Sequence, residues 1–269
     1  MKRRQEILAT LLRENTATVR DLAERFGVSP MTIYRDLQHL EAQGLIIRTV
    51  GGAMIRPTLQ YGRRWSERLR EQAGVKRRLG AAAAALLRDR ETVIFDAGTT
   101  VLEVARHLNR GLTLTAVTNS LPTAATLGEY EHVTVLMPGG QLSPDTASLL
   151  GPAAVNFLAD INADTVVLST AAVSLEDGLT NFSMDSVAIK RVMIARARRV
   201  ILVVDYTKFE QHAMITVEPI DCVDHLVSDS RMPDTLRARL EERGIRVTLV
   251  PAAPEQPYPT GEDVVATVD

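Results

Sequence analysis

The sequence predicts two folding units. A small, mostly helical N-terminal unit spans residues 1–57, and an α/β domain built on a mostly parallel, doubly wound sheet spans residues 75–250. Three observations carry this. The chain has 269 residues, room for about two domains. Its first 57 residues hold three short amphipathic helical patterns, then two β-rich runs around a glycine pair. From Val75 onward, β-rich runs alternate with helical runs of roughly 10–15 residues, the pattern of βαβ units.

Composition bounds the function. Hydrophobic residues make up 45% and charged residues 24%, enough apolar material for a sizeable core. The single cysteine, Cys222, excludes an internal disulfide framework and a cysteine-based zinc cluster. No window of about 20 residues is uncharged and continuously apolar, as a membrane span requires. Glu6, Arg13 and Glu14 interrupt what would be the apolar core of a signal peptide. A soluble, cytoplasmic protein with no metal centre and no cofactor is expected. The net charge of −2 hides an asymmetry. Residues 1–72 hold 13 Lys and Arg against 8 Asp and Glu, a balance of +5, and the remaining residues carry −7. A basic head on an acidic body suits a head that meets a polyanion, but such a balance is also common on solvated surfaces.

In the head, Ile7, Leu8, Leu11 and Leu12 form one apolar stripe over Arg3–Arg13. After a short break at Asn15–Thr18, Thr18 caps a second helix, "VRDLAERF", with Val19, Leu22, Ala23 and Phe26 on one face. Gly27 suits the position just past its end. Ser29 and Pro30 open a third helix, as N-cap and first helical residue, and Gly44 closes it. Ile33, Leu37, Leu40 and the stem of Glu41 point inward. The tight turn between the second and third helices predicts a helix-turn-helix, whose later helix enters the DNA major groove. Met31, Thr32, Tyr34, Arg35, Gln38 and His39 lie off its apolar stripe; Thr32, Arg35 and Gln38 are types that reach base edges or phosphates. The runs around Gly51-Gly52 predict a hairpin wing that brings Arg48 to the DNA backbone or minor groove. Any one of these residues alone reads equally as a solvated surface.

Residues 58–74 read as a linker with a helical second half, containing the lone Trp65, and residues 251–269 as a Pro-rich, loosely ordered tail. In the body, ligands of open parallel sheets bind beyond the C-terminal strand ends. Five polar clusters fall at such ends: Asp96–Thr100, Thr118–Ser120, Gly139–Gly140, Ser169–Ala172 and Asp205–Lys208. Gly98 allows close backbone approach, and the amides and hydroxyls of Thr99 and Thr100 suit an anion; a plain helix cap is the bland alternative. Asp96 fits a sugar-hydroxyl acceptor or a cap. Asn119 and Ser120 either cap the next helix or bind ligand hydroxyls, and Gly140 is a close backbone approach or a turn. Lys190 sits in an amphipathic helix, where a lysine is usually solvated. Lys208, near Asp205, is the better-placed cation, unless the two form a structural salt bridge.

Both halves carry a family resemblance. The pieces "DLAERFGVS", "MTIYRDLQHLEAQGLI" and "RTVGGA" in the head resemble the DNA-binding domain of DeoR-family transcriptional regulators. "DAGTT", "VTNS", "PGG", "DGLTNF", "KRVMI" and "VVDYTKF" in the body resemble the same family's effector-binding domain. The family usually has an arginine where this chain has Tyr34, and an acidic residue where it has Ala188. The resemblance implies a winged helix-turn-helix, with Ser29 among its DNA contacts, and a sensor fold similar to ribose-5-phosphate isomerase. It implies Gly98, Thr99 and Thr100 at the phosphate end of a pocket, with Asp96, Asn119, Gly140, Lys190 and Lys208 around a sugar. A regulator of carbohydrate genes follows, with repression as the family's usual mode. Its partners would be operator DNA and a phosphorylated sugar, in a homodimer or homotetramer.

Two other readings stand beside this one. A sugar-phosphate isomerase-like enzyme could use Asp96 or Asp205 as base and Lys208 to steady an enediolate. A DNA-binding module could use its body only to oligomerise.

Overall fold

The computed structural model describes residues 2–14, 16–42, 45–49, 51–55 and 65–252. The expected helix stop at Gly44, the side chain of Leu12, the first part of the expected linker and almost all of the expected tail lie outside the described residues. Internal contacts divide the chain into two units, Met1–Arg63 and Arg64–Asp269.

In the first unit, α1 (Lys2–Glu14), α2 (Val19–Phe26) and α3 (Pro30–Ala42) pack with a small antiparallel sheet of β1 (Thr16–Thr18), β2 (Ile46–Thr49) and β3 (Gly52–Ile55). Local chemistry sets the helix ends. The Thr18 hydroxyl accepts from the Asp21 amide at 3.1 Å, satisfying a first-turn donor of α2. Gly27 ends that helix at φ +62°, a left-handed conformation that glycine adopts without steric penalty. Ser29 accepts from the Thr32 amide at 3.3 Å and opens α3. Ile7, Leu11, Val19, Leu22, Ile33, Leu37, Leu40 and Ile46 are buried together as the core. The expected break after α1 is in fact the strand β1, which pairs with β3 from Thr16↔Met54 to Thr18↔Gly52. A three-residue strand has no periodicity of its own, and only the wing that it joins reveals it.

The second unit opens with α4 (Trp65–Arg70) and α5 (Ala73–Ala84). Its centre is a seven-stranded sheet. The strands, in chain order, are β4 (Thr92–Phe95), β5 (Leu114–Thr118), β6 (Val133–Leu136), β9 (Thr165–Leu168), β12 (Val200–Val203), β14 (His225–Asp229) and β15 (Arg246–Val250). Their spatial order is β15-β14-β12-β9-β4-β5-β6, and every neighbouring pair is parallel. Val93 and Phe95 face a cluster with Leu79, Val101 and Val104, and Ile94 faces a second cluster with Val166, Leu168 and Met193. A strand buried on both faces reads as a continuous apolar run, as "VIF" and "VILV" do. α6 (Thr99–Arg106) and α7 (Leu121–Leu127) follow β4 and β5; α8 (Pro152–Ala159), α9 (Met184–Arg196) and α10 (Asp234–Glu242) are the remaining α-helices among the described residues.

Two features depart from the alternating pattern. The β-rich run Ala163–Val173 breaks after Leu168, and its end becomes β10 (Ala172–Ser174). This strand joins β11 (Gly178–Asn181) and β13 (Ile215–Glu218) in an antiparallel side sheet. β7 (Gln141–Ser143) and β8 (Ser148–Leu150) form a separate hairpin. These strands are only three or four residues long and mix polar with apolar residues, so their partners rather than their composition create them.

Candidate nucleic-acid interface and ligand rim

On α3, Met31, Tyr34, Arg35, Gln38 and His39 are all exposed. Their spacing places them on one face of the helix. Ser29 is exposed just before that face, and Thr32, half-buried, exchanges a hydrogen bond with Ser29. The opposite face is Ile33, Asp36, Leu37 and Leu40, all buried. Asp36 is a buried carboxylate gripped by Arg3 at 2.6 Å and Arg4 at 2.9 Å. Burial pushes the Asp36 carboxyl up, but the two guanidiniums outweigh it and hold the group below the usual carboxylate range. Two of the head's arginines thus anchor α3 to α1. Nothing in the local pattern of "YRDL" marks Asp36 as inward, apart from its helical spacing from Ile33 and Leu40. Arg48, on the wing, is tied to Glu41 at 2.6 Å. The glutamate stem expected to point inward instead carries a carboxylate that holds the wing arginine against the end of α3.

In the second unit, the five polar clusters sit at the C-terminal ends of β4, β5, β6, β9 and β12. These are consecutive neighbours in a parallel sheet, so all five ends lie on one rim. From β4 the chain runs outward to β5 and β6, then returns to build β9 and β12 on the other side. The β4–β9 border is therefore the topological switch point, where open α/β sheets hold ligands.

Asp96 and Ser169 straddle that border. The Ser169 amide donates to Asp96 at 3.1 Å. Lys190 ion-pairs with the same carboxylate and also donates to the Ser169 carbonyl at 2.7 Å. Asp96 and Lys190 are 2% and 5% exposed, so the solvated lysine expected on α9 is in fact half of a buried ion pair. The helix turns it inward because Val187, Ile189 and Met193 are buried beside it.

Gly98 precedes α6 with extended backbone and offers no side-chain cap. A Cβ there would lie at ordinary contact, 3.7 Å from Ser169. Thr99 and Thr100 are 6% and 5% exposed, and among the described residues neither hydroxyl has a hydrogen-bond partner. Leu102 makes the first intrahelical bond, to Gly98, and the amides before it have no intrahelical acceptor.

At the end of β5 the two candidates separate. Ser120 is the N-cap of α7: its hydroxyl accepts from the Thr123 hydroxyl at 2.9 Å and the Thr123 amide at 3.4 Å. Asn119 is buried, its amide nitrogen donates to the Leu149 carbonyl at 3.0 Å, and among the described residues its Oδ1 has no partner. Gly140 has φ +140°, and a Cβ there would lie 2.5 Å from the Leu150 carbonyl oxygen. Its close approach is thus to the protein's own β8. At the end of β12, Asp205 is buried and accepts from the Thr207 amide at 3.1 Å and from the Thr207 hydroxyl. Burial raises its pKa, but Lys208, Thr207, Lys76 and Arg231 together hold it below the ordinary value. Lys208 is half-buried in the 3₁₀ turn Tyr206–Glu210 and lies within electrostatic range of Asp205 without an ion pair.

The comparisons agree with this division of the chain. Residues 3–58 match the DeoR-like helix-turn-helix domain, and residues 71–230 match the DeoR C terminal sensor domain. The chain belongs to the DeoR family of transcriptional regulators. The HTH-type transcriptional regulator GlpR of Haloferax volcanii is 33% identical over 248 residues, covering 91% of this chain and 96% of that protein. The HTH-type transcriptional repressor CsqR of Escherichia coli K12 is 32% identical, covering 92% and 94%. The glycerol-3-phosphate regulon repressor of the same strain is 31% identical, covering 92% and 98%. Among solved structures, ribose 5-phosphate isomerase A of Methanocaldococcus jannaschii aligns with a TM-score of 0.39 and 16% identity, over 51% of this chain and 54% of that one. That likeness carries no argument about activity. As a member of the DeoR family, the chain is a DNA-binding regulator rather than an isomerase.

One rim residue was not singled out in the sequence. Lys76 of α5 is 6% exposed, although it opens the run "KRR", which reads as a solvated charge cluster. Its burial becomes visible only when α5 is packed against α6. No helix among the described residues is long and apolar enough to cross a membrane.

Proposed function

We propose that this DeoR-family regulator reads operator DNA with the exposed face of α3 and senses a phosphorylated sugar or polyol at the sheet rim. The observation that carries the sensing half is the start of α6. Among the described residues, the hydroxyls of two buried threonines there have no hydrogen-bond partner, and they lie beside helix-terminal amides at the switch point of a parallel sheet. Such a terminus favours a negative ligand group. The chemistry suits a phosphate that is bound and never transferred. Asp96, Asn119, Lys190 and Lys208 would surround the rest of the ligand, and Gly98 would leave room for it. Ser120 and Gly140 act beneath the site, as a cap and as a close approach to β8.

The relatives named for glycerol-3-phosphate and for repression favour a small phosphorylated polyol or sugar as effector and repression as the sign of regulation. Ser29, Met31, Thr32, Tyr34, Arg35, Gln38, His39 and Arg48 would meet DNA. Reading two half-sites one DNA turn apart calls for a homodimer or homotetramer, acting where the chromosome is, in the cytoplasm.

Fluorescence anisotropy with DNA from upstream of its own coding region tests both halves. Operator binding should change when sn-glycerol 3-phosphate, ribose 5-phosphate or another phosphorylated sugar is added. Thermal unfolding should shift with the same compound, by about 2.7 kcal/mol of added stability at about 100 times its Kd. Operator affinity indifferent to every member of a broad panel would end the sensing proposal.

A further inference from the structure

We propose that Lys76 is a direct ligand of the effector's anionic group, a cation supplied to the rim by the helix that leads into β4. This rests on the sensor reading above and extends it to a residue on a further segment of the chain. The placement follows from topology. α5 runs down to the start of β4, so its own beginning lies at the rim, where α6 also begins. The two helices touch closely at Gly80, where a Cβ would lie 2.5 Å from the Glu103 carbonyl carbon. One helical turn before Gly80 is Lys76, and one turn before Glu103 is Thr99. Electrostatic coupling of Lys76 to Asp205 and Lys208, at the end of β12, puts the ammonium on the same rim.

The ammonium is under-used. It carries three donors, yet among the described residues it makes one hydrogen bond, to the Arg68 carbonyl at 2.5 Å. It forms no ion pair there, and the Asp205 carboxylate is already engaged by Thr207. A buried lysine is ordinarily paired. The groups that face it are Asp205 and Lys208 from the strand end, and Glu71 and Arg68 from the preceding segment. A phosphate would take the unused donors. Burial, reinforced by Lys208 and Arg68 and opposed by Asp205 and Glu71, drops the Lys76 pKa to about 8. An anion beside it would raise that value, so binding at pH 8.5 should draw in a proton.

Isothermal titration of the full chain with sn-glycerol 3-phosphate, ribose 5-phosphate and inorganic phosphate provides the test. Lys76→Met should weaken the compound that binds best by roughly 10- to 100-fold, with the unliganded melting temperature kept. Lys76→Arg should keep more of the affinity. At pH 8.5, titrations in two buffers of different ionisation enthalpy should show proton uptake by the natural protein and none by Lys76→Arg. Equal affinity for Lys76→Met and the natural protein would overturn the assignment and leave the sensor reading standing. Failure of the natural protein to bind any of a broad sugar-phosphate panel would overturn the sensor reading, and Lys76 with it. Should Lys76→Met not fold, buffer-independent heats from the natural protein at pH 8.5 would by themselves overturn the assignment.

Discussion

Lys190 and Asp96 stand 94 residues apart in sequence and meet as a buried ion pair across the switch point of the sheet. The pair joins the end of β4 to α9, and through the Ser169 amide and carbonyl it also holds the end of β9. Removing one partner leaves the other charged and dry. Lys190→Met should therefore cost about 3–5 kcal/mol in urea unfolding. The double variant Lys190→Met/Asp96→Leu should recover most of that loss, because it leaves no unpaired buried charge. A loss under about 1 kcal/mol for the single variant would show that the pair is solvated in solution.

On the head, Arg35→Ala should weaken operator binding by about 1–3 kcal/mol. Tyr34→Arg restores the cation that the family usually carries there. It should tighten binding to unrelated DNA and steepen the dependence of log K on log salt by about 0.9. Anisotropy titrations at several salt concentrations measure both. A Tyr34→Arg slope equal to that of the natural protein would place the residue off the DNA backbone.

Much of this was legible where the controlling chemistry is local. Thr18, Gly27 and Ser29 set helix ends through bonds to neighbours a few residues away, and each is readable in the sequence. The β-rich runs of the central sheet are readable because burial on both faces makes them continuously apolar. Five rim clusters follow from counting strand ends. Lys190, Lys76 and Asp36 resisted the same treatment. Each is a charged residue on a helix, and its burial depends on a partner supplied by a distant segment. The strands β1, β10, β11 and β13 resisted it because pairing, and not composition, makes them strands. Gly140 looked like a ligand approach because a glycine pair after a strand has the same appearance whether a ligand or β8 lies against it.

Gly80 sets two effects against each other. Alanine is the better helix former by about 1 kcal/mol, so Gly80→Ala should stabilise an isolated α5. In the folded protein the new Cβ would lie 2.5 Å from the Glu103 carbonyl carbon and 2.6 Å from its oxygen, and backbone cannot swing aside. The helices must part, and overpacking of this kind costs about 1–3 kcal/mol. The clash should win, with a lower melting temperature for Gly80→Ala. Weaker binding of a sugar phosphate should accompany it, since Lys76 and Thr99 lie one turn above the contact. A higher melting temperature would mean that α5 and α6 are looser than their packing shows.

Asp36 gives the head an acid limit. Arg3 and Arg4 hold its folded pKa below the usual carboxylate range despite the burial that opposes them. A depressed folded value means that the stabilisation is complete above the unfolded value of about 3.9 and is lost as pH falls through the folded one. Hydrogen bonds to a charged group contribute about 1.5–3 kcal/mol, and the low end applies here because both arginines are two-fifths exposed and screened by solvent. At pH 7, Asp36→Asn should lose amide protection at Ile33, Leu37 and Leu40 and bind operator more weakly, because α3 loses its tie to α1. Below about pH 4 the natural protein should lose the same protection, and the gap between the two should close. Hydrogen exchange at pH 7 and pH 3 measures this directly, and a gap of equal size at both values would rule out the Asp36 carboxylate as the anchor of the recognition helix.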